Sequence, residues 1–132
     1  MNSFTVHSQR KQEVIDITNT IRKIVAESTV KEGICVVYTP HATAAIIINE
    51  NWDPNINEDF LKTLSTLIPA GKWLHDKVDG NGDAHIKSAL VGPSETLLIA
   101  DGELVLGKWQ NIMLVDFDGP RERKIVVKIV KG

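Results

Sequence analysis

Cysteine is nearly absent from this chain of 132 residues: Cys35 is the only one, so an intramolecular disulfide is excluded. Cys35 lies in the apolar run Ile34–Tyr38, which predicts a small buried hydrophobe rather than a catalytic thiol. No apolar run is long enough to cross a bilayer, and the N-terminal dozen residues lack the apolar region of a secretory signal. These absences predict a cytoplasmic protein with no membrane partner.

A dominant charge is also missing. The formal net charge is −2, which gives no general attraction to nucleic acid, although a local basic cluster can still bind a small anion. Hydrophobic residues make up 42% and charged residues 24%, the balance of a globular chain. The length suits one domain covering residues 1–132, with no repeat or linker.

Hydrophobic periodicity predicts an α+β fold, in which a mixed or antiparallel sheet packs against two or three helices. One helix follows Ile17, with Thr18 or Asn19 as its N-cap; a second starts at Asp53-Pro54, and a short third covers Ala84–Val91. Asp101-Gly102 is a hairpin-turn dipeptide. Strand patterns cover Ser3–Ser8, Val14–Ile15, Ile34–Tyr38, Ala44–Ile48, Thr96–Ala100, Leu104–Leu106, Asn111–Phe117 and Lys124–Val130. The first and last of these place both chain ends in the sheet.

Three of the four histidines fall at predicted connections. His41 lies between two apolar strands, and His75 and His85 flank the polar run 79–83. Three imidazoles with one open position would form a catalytic zinc site, yet their spacing matches no compact metal motif, and loop histidines often serve only as ordinary polar residues. The run 79–83 resembles the start of a calcium loop, but Ala84 and Leu90 replace the required glycine and glutamate, which excludes an EF-hand.

Two more clusters carry chemistry. Arg121 and Arg123 flank a tight turn in Asp118–Arg123, and guanidinium groups bind phosphate or carboxylate through two hydrogen bonds; a hairpin turn with ordinary surface charges is the equal alternative. The segment Lys108–Gln110 places Trp109 where a strand starts. That ring could line a heterocycle pocket, but such a tryptophan more often packs at a subunit or core edge.

These segments together resemble the YjbQ-like family, also called the secondary thiamine-phosphate synthase family. The resemblance rests on four stretches, which occur in the family's order and span nearly the whole chain: His41–Ile46 with Ile48–Glu50, His75 with Asp79–His85, Leu106–Gln110, and Asp118–Arg123. Ala42 stands where the family usually has threonine, and Lys108 where threonine is common.

The resemblance implies a homotrimer with a site built from several of these stretches. It places a metal ion at His41, His75 and His85, with Glu50, Asp79 and Asn81 as catalytic residues. It assigns binding of the substrate to Lys108, Trp109, Gln110, Arg121 and Arg123. Zinc suits imidazole ligands best, and magnesium is possible with a diphosphate substrate.

Two functions follow as expectations. The first is a metal-dependent enzyme acting on a phosphorylated small molecule, with thiamine-phosphate synthesis from a pyrimidine-methyl diphosphate and a thiazole phosphate as one form. The alternative is a non-catalytic trimeric module that binds a metal ion or an anionic metabolite. It would use the same residues without a general base.

Overall fold

The structure, a computed structural model, describes all residues from Met1 to Gly132. Its strands are β1 (Asn2–His7), β2 (Glu13–Asp16), β3 (Gly33–Tyr38), β4 (Ala44–Asn49), β5 (Ser94–Ala100), β6 (Glu103–Leu104), β7 (Asn111–Asp116) and β8 (Glu122–Lys131). Its helices are α1 (Thr18–Ser28), α2 (Pro54–Leu67) and α3 (Gly82–Val91), with a short 3₁₀ helix at Leu74–Lys77. The α+β class and the three helices are therefore confirmed.

The strands form two sheets, and every pairing is antiparallel. The first has the order β1-β8-β3-β5-β6 and the second the order β2-β7-β4. Of the two arrangements predicted, mixed or antiparallel, the structure has the antiparallel one. The terminal strands β1 and β8 are neighbours from Asn2↔Val127 to His7↔Glu122, so both chain ends lie in one sheet as predicted.

Two cores hold these layers together. The larger lies between the two sheets and includes α1, through Ile21 and Val25, with Cys35 and Val37 from β3. The smaller joins the other face of the three-stranded sheet to α2 and α3, around Val115 and Phe117. Because β7 contributes to both cores, its residues Ile112–Asp116 are buried on both faces, as in an interior strand.

The helix ends differ from the predictions in one case. Asp53 caps α2 by accepting from the Asn55 N–H at 2.9 Å, and Pro54 occupies the first helical turn, both as predicted. For α1 the prediction of Thr18 or Asn19 as N-cap is wrong, because the helix already includes Thr18. The carboxylate of Asp16 accepts the Thr18 N–H at 2.9 Å instead, since β2 ends directly beside the helix start.

Two further predictions are confirmed. Cys35 is fully buried, and burial raises the pKa of its thiol to about 11, which leaves it a packing residue. Asp101 and Gly102 both have positive φ, 52° and 79°, as a two-residue hairpin turn between β5 and β6 requires. No helix has the length and apolar character needed to span a bilayer.

Candidate functional site

The turn between β7 and β8 is built on a buried ion pair. Asp116 is 0% exposed and Arg123 2%. The guanidinium donates to both carboxylate oxygens, from Nε at 2.9 Å and from Nη2 at 2.7 Å, and Nη2 also donates to Thr43 Oγ1 at 2.8 Å. Ser8 Oγ donates to the same carboxylate at 2.7 Å. Arg123 is thus committed to Asp116 and Thr43, although the sequence placed it among the ligand-binding residues.

Asp118 joins the turn to two distant segments. Its carboxylate accepts from Asn81 Nδ2 at 2.8 Å and Arg121 Nη2 at 3.0 Å, and it also forms an ion pair with Lys11. Burial by itself raises the pKa of Asp118, but the hydrogen bonds and charges of Lys11, Asn81 and Arg121 outweigh it and hold that pKa below its ordinary value. Asp118 is therefore ionised at neutral pH and fixes Arg121 in place.

Arg121 is the one guanidinium of the turn that faces solvent. Its side chain is 55% exposed, and its Nε donates to the Asp118 main-chain oxygen at 2.8 Å. Nη1 makes no hydrogen bond within the protein. This group keeps free donors for an anion while its orientation is set by Asp118.

His41 follows β3 and is held from the side by β8. Its Nε2 accepts the main-chain N–H of Lys124 at 2.9 Å, and its Nδ1 has no partner. Burial, followed by the positive charges of Arg123 and Arg121, lowers the pKa of His41, against a smaller opposing effect of Asp116. His41 is therefore neutral at physiological pH.

The loop before α3 holds the other two predicted histidines. Asp76 organises it by accepting from the Trp73 N–H at 3.0 Å and the Gly82 N–H at 2.7 Å; these bonds lower the pKa of Asp76. A Cβ at Gly82 would lie 2.7 Å from the Trp73 Cβ, so the close turn requires glycine. The His75 and His85 rings then meet edge to face, with centroids 4.6 Å apart.

A cavity of about 530 Å³ lies where these segments meet, and we call it the His41–Arg121 cavity. It is almost entirely polar. Its lining residues are Pro40, His41, Ala42, Thr43, Asp79, Asn81, His85, Asp118, Arg121 and Arg123. The His41 and His85 rings also line an adjoining, more apolar cavity of about 310 Å³ beside Pro93 and α3. Of the predicted site residues, this region brings together His41, His85, Asp79, Asn81, Arg121 and Arg123. His75 does not line the cavity but contacts Asp79 and His85, which do.

His75 contacts the lining residue Asp79, whose Oδ2 lies 3.5 Å from His75 Nε2. The predicted zinc ligands do not form a closed set, since no three His, Cys, Asp or Glu side chains converge closely enough to hold one ion. The donor set as placed therefore does not fit a bound metal, and zinc at these histidines stays a prediction.

The other predicted residues lie at the opposite end of β4 and β7. The cavity end is marked by the pair Ala44↔Asp116 and the opposite end by Asn49↔Asn111, roughly 17 Å away along the strands. Glu50 follows that far end and accepts the Asp53 N–H at 3.2 Å. Trp109 contacts Trp52 edge to face at 6.2 Å and lies under Lys108 Nζ at 5.1 Å, while Gln110 Oε1 accepts the Gly107 N–H at 2.8 Å. Within one chain these residues do not line the cavity.

Sequence reasoning missed Lys11, Asp116 and Thr43. Lys11 is 107 residues from Asp118, and its polar neighbours in the sequence do not single it out. Asp116 lies inside the predicted apolar strand Asn111–Phe117, and a charged residue at such a position is a signal that could have been used.

Comparisons with known proteins agree with this fold. The family model described as "UPF0047 protein YjbQ-like" matches residues 2–132. The UPF0047 protein MJ1081 of Methanocaldococcus jannaschii is 48% identical over 127 residues, covering 96% of this chain and 91% of that protein. The UPF0047 protein YugU of Bacillus subtilis is 35% identical, covering 98% of each chain.

Solved structures agree as well. An uncharacterized protein of the YjbQ/UPF0047 family from Clostridium acetobutylicum superposes with a TM-score of 0.94 at 44% identity, covering 98% of this chain and 100% of that one. A YbjQ-like protein of unknown function from Sulfolobus solfataricus superposes with a TM-score of 0.96 at 38% identity, covering 99% and 96%.

Proposed function

The chain belongs to the UPF0047 protein YjbQ-like family, and from its site we propose that it is an enzyme that binds a phosphorylated small molecule in the His41–Arg121 cavity. The observation that carries the proposal is Arg121, half-exposed at the cavity with its Nη1 free while Asp118 holds its other nitrogens. An arginine fixed in this way loses little side-chain freedom when it binds a phosphate oxygen.

The charge balance near Arg121 supports an anionic ligand. Lys11, Arg121 and Arg123 face the carboxylates of Asp116 and Asp118, so cations outnumber carboxylates in this network. Asp79, the remaining carboxylate of the lining, lies outside this network, with its Oδ2 3.5 Å from His75 Nε2. A phosphate at Arg121 would therefore meet no unpaired carboxylate of the turn.

The same cavity contains groups suited to acid–base chemistry. Asp79 can orient His75 through the contact of 3.5 Å, and the His85 ring stands beside His75 on the cavity side. A carboxylate–imidazole pair beside a bound phosphorylated molecule can move a proton to or from the reacting group. These roles for Asp79, His75 and His85 are part of the proposal. Asn81 would keep the Asp118 carboxylate in position through the hydrogen bond that its amide donates.

Thiamine-phosphate synthesis is the narrower form that the family resemblance implies. In that reaction the pyrimidine-methyl carbon leaves its diphosphate oxygen and bonds to the thiazole nitrogen, and pyrophosphate is released. It needs cations for the diphosphate, with magnesium as a possible partner, and an aromatic wall for the pyrimidine. Because Trp109 lies at the far end of β4 and β7, this wall would have to come from His41 and His85, or from a second copy of the chain.

The test measures binding of inorganic phosphate by calorimetry on wild type, Arg121→Gln and Arg22→Gln. We expect Arg121→Gln to weaken phosphate binding about tenfold or more, since it removes a charge-assisted hydrogen bond. Arg22, an exposed arginine of α1 beside a different cavity, is the matched control and should bind as wild type does. Equal loss in both variants would show a general charge effect and would contradict the proposal.

The non-catalytic alternative uses the same phosphate site without turnover. With the pyrimidine-methyl diphosphate and the thiazole phosphate as substrates, we expect Asp79→Asn to lower the rate of pyrophosphate release far more than phosphate affinity. Glu50→Gln, at the far end of β4, is the control, because it also replaces a carboxylate by an amide. If wild type binds phosphate but releases no pyrophosphate, thiamine-phosphate synthesis is excluded, and the binding module becomes the better description.

We also propose the homotrimer implied by the resemblance. The outer face of the five-stranded sheet has no helix over it and carries Leu98, 60% exposed, and Val130, 42% exposed, on either side of Ile34. A contiguous apolar sheet face of this kind supports association with further copies of the chain.

A further inference from the structure

His41 is held so that only one of its two nitrogens is available. Its Nε2 accepts the Lys124 main-chain N–H at 2.9 Å, so this nitrogen carries a lone pair and no proton. A neutral imidazole with a bare Nε2 must carry its proton on Nδ1. The main chain of β8 thereby selects the tautomer of a side chain that belongs to the β3–β4 connection.

This tautomer conflicts with the metal role predicted for His41. Coordination through Nε2 would displace the Lys124 N–H and leave that donor without its acceptor. Coordination through Nδ1 would move the proton to Nε2, where it would point at the same N–H. Neither nitrogen can bind an ion unless the bond to β8 breaks, which agrees with the lack of a closed donor set.

The free Nδ1–H belongs to a ring that lines the His41–Arg121 cavity, and Arg121, with its free Nη1, lines the same cavity. His41 Nδ1 and Arg121 Nη1 are both donors, and neither nitrogen has an acceptor in the protein. An oxyanion is the ligand that two such donors in one cavity suit.

We propose that His41 is not a metal ligand but a fixed hydrogen-bond donor, whose Nδ1–H binds an oxygen of the phosphate that Arg121 holds. The ligand-binding part of this inference rests on the proposed function, and the tautomer part stands without it. The role differs from that of a general base, because a nitrogen that already carries its proton cannot accept another from the substrate.

The first measurement is the protonation state of the His41 nitrogens by long-range ¹H–¹⁵N correlation on the uniformly labelled full chain at pH 7.5. We expect His41 to show a protonated Nδ1 and a bare Nε2, and to keep that pattern when zinc ions are added. A protonated Nε2, or zinc-dependent shifts of the His41 nitrogens, would overturn the inference.

The second measurement uses two variants that each preserve one nitrogen's function. In His41→Gln the side-chain oxygen can accept the Lys124 N–H in place of Nε2, but the Nδ1 donor is lost. In His41→Asn the amide can donate near the place of Nδ1, but the bond to β8 is lost. We expect His41→Gln to keep the wild-type melting temperature and to bind inorganic phosphate about tenfold more weakly than wild type. We expect His41→Asn to have a lower melting temperature and to bind phosphate more tightly than His41→Gln does.

A purely structural role for His41 predicts that phosphate affinity decreases as stability decreases. The donor role would therefore be overturned if affinity fell from wild type to His41→Gln and fell further in His41→Asn. Unchanged affinity in His41→Gln would overturn it as well, with the phosphate site itself intact. If the wild type binds no phosphate, the proposed function fails and the donor role fails with it. The tautomer of His41 is tested independently by the ¹H–¹⁵N correlation spectrum.

Discussion

Asp116 shows how a single buried residue sets the geometry of the site. It is 0% exposed and accepts from Arg123, from Ser8 and from the Asp118 main-chain N–H at 2.8 Å. Burial by itself raises the pKa of this carboxyl, but the hydrogen bonds and the Arg123 charge outweigh it and hold the pKa below its ordinary value. Asp116 therefore stays charged in the folded protein and anchors both ends of the β7–β8 turn.

The variant Asp116→Asn should lower the free energy of unfolding by about 3–5 kcal/mol at pH 7, because Arg123 keeps its buried charge without a counterion. The pH dependence follows from the same pKa. Since the pKa of Asp116 is depressed in the folded protein, its contribution to the free energy of unfolding is complete above the ordinary pKa of about 3.9. That contribution is lost as the pH falls through the pKa of the folded state. Urea unfolding at pH 7 and at steps below pH 4 measures both effects.

Asp59→Asn provides the comparison, since Asp59 is exposed on α2 and its side chain makes no hydrogen bond or ion pair. That variant should stay within about 0.5 kcal/mol of wild type. Below pH 4 the Asp116→Asn protein should lose less further stability than wild type. If wild type and Asp116→Asn lose the same free energy of unfolding at every pH below 4, Asp116 is not the source of this acid sensitivity.

At the same scale, the two arginines of the turn show what a motif cannot decide. Both were predicted to bind the ligand, yet Arg123 lies inside β8 and points into the protein, while Arg121 precedes the strand and faces solvent. Residues two apart on one strand share a face, so alternation does not separate these arginines. They differ because β8 begins at Glu122, which leaves Arg121 in the turn. A sequence pattern uncertain by a residue or two leaves that choice open.

Among the elements, α3 depends on a buried ion pair for its position. Lys87 is 1% exposed, and its Nζ lies 3.0 Å from Asp83 Oδ2 one turn earlier, 3.1 Å from Ser65 Oγ of α2 and 3.4 Å from Gln12 Oε1. The pair therefore ties α3 to α2 and to the connection between β1 and β2. Since His85 stands between Asp83 and Lys87, the same bonds fix the helix that presents this ring to the cavity.

Replacing Lys87 by Met should lower the free energy of unfolding by about 3–5 kcal/mol, because the buried Asp83 carboxylate is left without its cation. The double variant Asp83→Asn with Lys87→Met should recover part of that loss, since the uncompensated charge is then gone. Chemical denaturation of the wild type, both single variants and the double variant gives the coupling energy directly.

Lys23 and Glu27 of α1 supply the matched comparison. They have the same four-residue spacing at 4.0 Å, but their side chains are 75% and 67% exposed. Lys23→Met should change stability by less than about 0.5 kcal/mol, since an exposed pair of this spacing contributes little. If Lys87→Met were as mild as Lys23→Met, the ion pair would not be what positions α3.

The connection before α3 is where prediction of the elements was least complete. The run 79–83 was described as polar, and the third helix was predicted to begin at Ala84. The structure adds a 3₁₀ helix at Leu74–Lys77 and starts α3 at Gly82. Both differences trace to Asp76, whose carboxylate accepts two main-chain N–H groups of the loop. Such side-chain to main-chain bonds have no periodicity, so a search for hydrophobic patterns does not find them.

For the whole molecule, composition and periodicity predicted the class and most strands, because burial patterns alternate along them. The division into two sheets was not predicted, since it depends on which strands pair across long stretches of sequence: β2 pairs with β7 rather than β1, and β3 lies between β5 and β8. The same pairing separates His41 from Glu50 and Trp109, which sequence had grouped in one site. Predicting either the sheet order or the residues of the site would therefore have required knowing which strands pair over long sequence separations.

The uncovered sheet face leads to a prediction about assembly. Leu98→Lys should convert the proposed trimer to a monomer, because it places a charge beside Ile34 on the apolar face that Leu98 forms with Ile34 and Val130. Light scattering after size exclusion should give three chain masses for wild type and one for Leu98→Lys, with the far-ultraviolet circular dichroism unchanged. Leu67→Lys is the control, since Leu67 is 69% exposed on α2 and lies on the other side of the molecule. A trimeric Leu98→Lys protein would place the interface elsewhere, and a monomeric wild type would remove the trimer. In the latter case the cavity would have to bind its ligand with the residues of one chain, without Trp109.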